Sequence, residues 1–214
     1  MLSEDYLFRM IMQAAAVIAK IIGLKMAGQY PEALQAIDQT LEQTLGMNAE
    51  MVKLLDDDSL YKILTINEVL DLERLGIIAD LFTEEGDILN LQKKNSESDN
   101  CYIRSLNYYL MMSINKDPSQ PNELSRKIEE IIQKLANHNI PEKTLFDLFC
   151  YYENEGEYAK ADNTLSLLAT LSNTHADVRS EMISFYKRLL TKSPKELSAG
   201  GLNIKQIRQK LMGM

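Results

Sequence analysis

Apolar residues recur every three or four positions along most of the chain, which is the spacing of amphipathic helices. Alternating Val and Ile runs, typical of strands, are scarce, while Leu, Ala, Met, Glu, Lys and Gln dominate, and these residues favour helix. The sequence therefore predicts an all-α fold of about nine to eleven helices. After a first helix, the pattern places them at about 31–45, 48–54, 59–64, 65–83, 100–113, 123–135, 144–155, 158–171, 176–190 and 204–212.

The first helix, over about residues 3–27, is apolar around most of its circumference. Such a helix is normally buried on several sides, so we expect it in the core of the monomer or at the seam of a homodimer. Its most apolar run, Met10 to Ala19, lies between Arg9 and Lys20 and is too short to span a bilayer. With no signal cleavage pattern after it, we expect a cytoplasmic protein with no membrane partner.

Three short segments recur between predicted helices: Gly28-Gln29-Tyr30, Glu85-Gly86-Asp87 and Gly156-Glu157-Tyr158. A glycine permits a tight turn, and a small residue such as Ala161 in the return helix lets two antiparallel helices approach closely. In the second copy the matching return helix is displaced. The polar composition of residues 95–100 and the two prolines within residues 117–122 predict loops. The pattern resembles the tetratricopeptide repeat. That resemblance implies antiparallel helix pairs stacked as a tetratricopeptide-like array, with a generic helical bundle as the alternative.

A second resemblance covers nearly the whole chain. The segments that carry it are Asp5–Arg9, Tyr151–Ala161, and Phe185–Leu190 followed by Glu196–Leu202, the last of which includes Ala-Gly-Gly-Leu. They are similar to a bacterial family of all-helical proteins classed as a domain of unknown function. The resemblance implies a single intracellular helical domain over residues 1–214, and it supplies no activity and no site residues.

The charge of the chain is unevenly distributed. The formal net charge is −8, which argues against nucleic acid as a partner. Acidic residues outnumber basic ones up to His175, and basic residues outnumber acidic ones from Ala176 onward. The basic end can attract an acidic partner or a second copy of the chain; the alternative is a solvated helical face.

No enzyme motif is found in the sequence. A Gly-rich phosphate loop is missing, and His138 and His175 lie far apart without metal-ligand spacing. Cys101 and Cys150 belong to no CxxC motif, and a cysteine on an apolar helical face is usually a packed core residue. We therefore predict no catalytic residue, no cofactor and no metal, and we lean against an enzyme.

The remaining hypothesis is a protein–protein interaction module or scaffold. In tetratricopeptide arrays the first helix of each pair lines a concave groove, and an amphipathic, somewhat basic segment of a protein or peptide partner would suit the groove predicted here. The alternative is a small enzyme or ligand-binding protein with a helical pocket. The groove positions are Ile18, Ile22, Asp80, Glu84, Phe146, Cys150, Glu153 and Asn154.

Overall fold

The computed structural model describes the backbone of residues 2–115, 123–136, 138–171 and 175–213. Side chains are described from residue 12 onward and, after 171, from residue 177. A loop that the sequence predicts at 117–122 lies outside these residues.

The elements fall into two units. Residues 1–139 hold α1 (Leu2–Met26), α2 (Tyr30–Leu45), α3 (Ala49–Leu54), α4 (Asp57–Leu64), β1 (Thr65–Ile66), β2 (Val69–Leu70), α5 (Leu72–Leu91), α6 (Asn95–Asn115) and α7 (Glu123–Lys134). Residues 140–214 hold α8 (Glu142–Asn154), α9 (Tyr158–Leu171), α10 (His175–Leu189), α11 (Pro194–Ala199) and α12 (Ile204–Met212).

The predicted all-α fold is confirmed, because the described residues form twelve helices and one two-stranded hairpin. The helix that the sequence pattern misses is α11, which is only six residues long and therefore too short to establish a periodicity. Ser193 begins it with a capping box in which its side chain accepts from the amide of Glu196. The single domain over residues 1–214 stays a prediction beside the division into two units.

The consecutive helices that pack most extensively against one another are α1 with α2, α5 with α6, and α8 with α9. The turns predicted at Gly28 and Gly156 are confirmed. Their φ angles are 72° and 77°, which is the left-handed conformation that glycine adopts without strain. The backbone reverses over two or three residues at each, so the paired helices run antiparallel.

The predicted second turn at Glu85-Gly86-Asp87 is wrong. Helix α5 continues through Gly86 to Leu91, and the chain turns at Gln92–Lys94, where Lys93 has φ 61°. Gly86 is needed for packing, since a Cβ there would lie 2.7 Å from the ring of Tyr102. The loop predicted over 95–100 is also wrong, because these residues form the first turns of α6.

Residues 65–70 form a hairpin that the sequence pattern does not reveal. Thr65 pairs with Leu70, and Ile66 with Val69, around two turn residues with positive φ, Asn67 (50°) and Glu68 (66°). The predicted start of the next helix at Thr65 or Asn67 is therefore wrong. Asp71 begins α5, because its side chain accepts from the amide of Arg74.

Helix α1 is only partly covered by its own chain. Ala14 and Ile21 are buried against α2 and α5, whereas Met12, Ile22 and Met26 are 56%, 37% and 82% exposed. Over residues 12–26, whose side chains the structure describes, burial in the monomer core is thus found for one face of the helix only. Among the described residues, no helix is both long and apolar enough to cross a membrane.

The side chain of Arg104 joins α6 to the short helix α3. Its guanidinium donates to the backbone carbonyls of Lys53 and Leu55 at 2.6 and 3.1 Å, and it lies 4.2 Å from the ring centre of Phe82. The last carbonyls of a helix have no partner within the helix, so Arg104 satisfies groups that a six-residue helix would otherwise leave unpaired.

In residues 140–214, the Ala-Gly-Gly-Leu segment packs on the turn between α8 and α9. The carbonyl of Gly200 accepts from the amide of Ala159 at 2.8 Å. A Cβ on Gly200 would lie 2.3 Å from both the carbonyl oxygen of Gly156 and the ring of Tyr158. Two of the segments behind the family resemblance, Tyr151–Ala161 and Glu196–Leu202, therefore meet at one backbone contact.

Candidate interaction cleft

The outward side of α1 is a continuous apolar surface. Its members are all exposed and stand three or four residues apart, which places them on one side of the helix. We call them the α1 outer face: Met12, Ala15, Ala19, Ile22 and Met26. The face exists because the helix is apolar around most of its circumference, while only the side that carries Ala14 and Ile21 packs against α2 and α5.

A cleft runs beside this face. It consists of two adjoining cavities of about 320 and 450 Å³, both of which are lined by Ile18, Ile22 and Asp80. Helix α5 forms one wall, and α7 contributes to the rim. We call it the α1 cleft and define it by Ile18 and Ile22 of α1, Ile77, Asp80 and Glu84 of α5, and Lys127 and Ile131 of α7.

The two carboxylates of the cleft are already paired. Asp80 accepts from the hydroxyl of Tyr109 at 2.5 Å and from the ammonium of Lys127 at 2.6 Å. Glu84 accepts from Lys25 at 2.6 Å. Burial, with the nearby Asp80 carboxylate, raises the pKa of Tyr109 above its ordinary value, so the phenol stays protonated and donates. The charge that the sequence suggests for this surface is therefore largely neutralised within the chain.

An ionic cluster continues from the cleft around Asp87. Its carboxylate accepts from Lys25 and Tyr102, each at 2.8 Å, and from Lys134. Burial works to raise the pKa of Asp87, but the hydrogen bonds from Lys134, Lys25 and Tyr102 outweigh it and hold the pKa below its usual range. Asp80, Glu84 and Asp87 recur on one side of α5, and this side is joined to α1 and α7 by charged hydrogen bonds.

The other predicted groove residues lie in residues 140–214. Phe146 is 42% exposed and lines a cavity of about 460 Å³ together with Leu165 and Leu168. Glu153 accepts two hydrogen bonds of 2.7 Å from the guanidinium of Arg188, and Asn154 is exposed at the end of α8.

Cys150 is half-buried on the same helix. Burial raises the pKa of its thiol to about 11, and the carboxylates of Asp147 and Glu153 add to the effect. The thiol is therefore protonated at neutral pH and a poor nucleophile. Within the described ranges no cluster of His, Cys, Asp and Glu has a geometry that would hold a metal ion.

The structure thus brings Ile18, Ile22, Asp80 and Glu84 together around one cleft. Phe146, Cys150, Glu153 and Asn154 follow one another along α8. Sequence reasoning missed the contributions of Lys127 and Ile131. The amphipathic pattern of α7, with Ile128 and Ile131 buried, was a signal that one side of this helix packs against the rest of the unit, where it lies on α6.

The fold and the cleft define the class of protein: an all-α protein of antiparallel helix pairs with an apolar surface and an adjoining cleft. Within that class, the chain belongs to the family of unknown function DUF6483, whose model matches residues 1–214. No curated protein matches it. No solved structure matches it either.

Proposed function

We propose that this protein is an interaction module of tetratricopeptide-like helix pairs, and that its α1 cleft receives an amphipathic helix of a protein partner. The observation that carries the proposal is the α1 outer face, which leaves five apolar positions of one helix in water beside a cleft. Contiguous apolar patches of this kind mark interaction sites in water-exposed proteins.

The form of the cleft supports a polypeptide occupant. Ile18 and Ile22 stand four residues apart on α1, and Ile77 of α5 lines the same cavity. A helix laid in an apolar groove uses anchors spaced by three or four residues. The rim carries charges of both signs at Glu123, Arg126 and Glu130. The expected preference for a somewhat basic segment depended on Asp80, Glu84 and Glu153. Each of these carboxylates already forms a salt bridge with a lysine or arginine of the same chain.

The cellular setting belongs to the same proposal. We infer a cytoplasmic location in a bacterium, and two free cysteines suit a reducing compartment. The net charge of −8 supports a protein partner over nucleic acid.

The experiment compares two isoleucines of matched exposure. Ile22 in the cleft is 37% exposed, and Ile63 on α4 is 39% exposed. A partner captured from the native host is purified, and its affinity is measured by titration calorimetry against the wild type, Ile22→Glu and Ile63→Glu. We expect Ile22→Glu to lose about 30-fold or more in affinity, the size of a hot-spot residue of about 2 kcal/mol, while Ile63→Glu binds as the wild type does. Equal binding by both variants would exclude the α1 cleft as the site.

A ligand-binding protein is the second candidate, and the cavity beside Phe146 favours it. Its volume of about 460 Å³ lies in the ordinary range of small-molecule pockets, about 300–1,000 Å³. Native mass spectrometry of the chain purified from its host would reveal a bound molecule. That molecule should be lost from Phe146→Glu and kept by Leu167→Glu, because Leu167 is 46% exposed and lies outside the cavity lining. A chain that carries no added mass excludes this candidate.

A further inference from the structure

We propose that the helix received by the α1 cleft is α1 of a second copy, so that the protein self-associates through an isologous, two-fold pair of α1 helices. The inference rests on the proposed function, since it identifies the occupant of that same cleft. In an isologous pair each copy contributes the same surface, and α1 is both a wall of the cleft and the helix that enters its partner's cleft.

The spacing of the α1 outer face supports this occupant. Met12, Ala15, Ala19, Ile22 and Met26 alternate intervals of three and four residues, which is the a/d repeat of a helix that packs against another helix. The positions that pack inside the unit, Ala14 and Ile21, form a separate series. Helix α1 therefore has two apolar seams, and the described residues of its own chain cover only one of them.

The sizes of the side chains suit a second copy of the same helix. Ala15 and Ala19 are small, and Ile22 and Met26 are large. An antiparallel mate whose two-fold axis passes near residues 20 and 21 faces Ala15 with Met26 and Ala19 with Ile22. Each layer then opposes one small and one large side chain, which allows close approach of the helices without leaving a cavity.

The charges are also complementary. Between residues 12 and 26, α1 carries two lysines and no acidic residue. Lys25 is engaged by Glu84, while Lys20 is exposed. On the rim of the cleft Glu130 lies 3.8 Å from Arg126, while Glu123 is a further carboxylate, so an incoming Lys20 meets opposite charge at Glu123 beside an apolar surface.

The area that a stable pair requires explains why the cleft takes part. A helix of 25 residues is about 37 Å long and about 10–12 Å wide, and its outline therefore covers roughly 400 Å². A stable interface buries about 800 Å² on each partner. Contact between two outer faces alone falls short of this value, so the mate must also cover exposed rim side chains of the cleft such as Arg126 and Glu130, which are 69% and 51% exposed.

The test is sedimentation equilibrium of the full chain at about 1–100 μM. This concentration range resolves micromolar association. We expect a wild-type mass of twice the 24.4 kDa of one chain. Ala19→Glu and Met26→Glu should sediment as monomers, because each places a carboxylate in the seam. Met26 is 82% exposed, so its replacement does not disturb the fold of one chain. Ile63→Glu, at an exposed position outside the cleft, should remain a dimer.

A disulfide test locates the contact. Ala19→Cys mixed with Ile22→Cys should form a cross-linked dimer under mild oxidation, whereas Lys62→Cys mixed with Ile63→Cys on α4 should not. A monomeric wild type at 100 μM, or a dimer that survives both seam substitutions, would overturn the inference. The proposed function would still stand in that case if Ile22→Glu lost a different protein partner. Loss of self-association in Ala19→Glu without loss of any other partner supports the second copy as the occupant.

Discussion

Gly200 is the glycine with the least room for an added Cβ. Replacement by Ala would place a Cβ 2.3 Å from a backbone oxygen of Gly156, and backbone cannot move aside as a flexible side chain does. We expect Gly200→Ala to lower the free energy of unfolding by an amount at the upper end of the overpacking range of about 1–3 kcal/mol. The control is Gly213→Ala, where the nearest atom would be 3.6 Å away. Urea unfolding of both variants checks this, and equal stabilities would show that the contact is not as close as described.

Asp87 should give the protein a measurable acid dependence. The pKa of its carboxyl is lower in the folded chain than the ordinary value of 3.8, so the carboxylate stabilises the fold at any pH above that value. This contribution is lost as the pH falls through the folded-state pKa.

Lys25 should give a matching alkaline dependence. Burial works to lower the pKa of Lys25, but its hydrogen bonds with Asp87 and Glu84 outweigh burial and raise the pKa above 10.5. Its contribution is complete below 10.5 and is lost as the pH rises through the folded-state value.

We expect Asp87→Asn to be less stable than the wild type at pH 7, by about 1–3 kcal/mol for a lost charged hydrogen bond. Its stability should also fall less steeply between about pH 5 and pH 3. Urea midpoints measured across that range, with Glu73→Gln as an exposed control, provide the comparison. An unchanged acid slope would mean that Asp87 is not held as an ion in the folded chain.

Residues could be predicted from the sequence where local geometry alone decides their role. Gly28 and Gly156 take positive φ in turns that follow from the helix pattern. The pairing of Asp80 with Lys127, which stands 47 residues away in the sequence, could not be predicted, because it depends on how α7 packs on α6, the partner of α5. For the same reason the charge of the cleft was misjudged.

At the scale of elements, Ala161 tests the pairing of α8 with α9. The residue is fully buried, so Ala161→Phe must push the packed helices apart at a cost of about 1–3 kcal/mol. Leu167→Phe, on the exposed side of the same helix, should change the stability by less than about 0.5 kcal/mol. Thermal melts followed by circular dichroism measure both. An Ala161→Phe melt that coincides with the wild-type melt would show that Ala161 does not lie between the helices.

Arg104 tests how the short helix α3 is held. Lysine keeps the charge but lacks the planar fork that reaches several carbonyls, so we expect Arg104→Lys to lose about 1.5–3 kcal/mol, the range of hydrogen bonds to charged groups. Arg126 is 69% exposed in its side chain, and Arg126→Lys is the control that should leave stability unchanged. Hydrogen exchange should speed up first in α3. Equal protection of α3 in both variants would mean that Arg104 is dispensable.

Long helices with a clear apolar period could be predicted, while their ends could not. The apolar period of α5 marked its buried side, but Gly86 suggested a turn that is not there. The glycine is needed for tertiary packing instead, because the ring of Tyr102 occupies the space that a side chain at position 86 would fill. The hairpin at 65–70 was missed because strands of two residues have no period to detect. The first and third pairs were predicted well because their turns coincide with glycines.

At the scale of the whole molecule, α1 connects the sequence pattern with the proposed role. A helix that is apolar around most of its circumference predicts burial on several sides, and the described chain provides burial on one. The sequence alone could not decide between a core and a seam, since both give the same pattern. The exposed position of Met26, together with the burial of Ile21, separates the two faces. The central claim is that another protein surface covers the α1 outer face.

Four native methionines report on that claim without any substitution. Met12 and Met26 on the α1 outer face are 56% and 82% exposed, and Met51 and Met212 elsewhere are 61% and 86% exposed. Exposed methionine is oxidised to the sulfoxide, and mass spectrometry counts the product at each position. A pulse of peroxide is given to intact host cells and to the purified chain at submicromolar concentration. We expect all four to oxidise readily in the dilute chain, and Met12 and Met26 alone to be protected several-fold in the cell. Oxidation of Met12 and Met26 in the cell at the same rate as Met51 and Met212 would contradict the account, because the outer face of α1 would then be uncovered where the protein works.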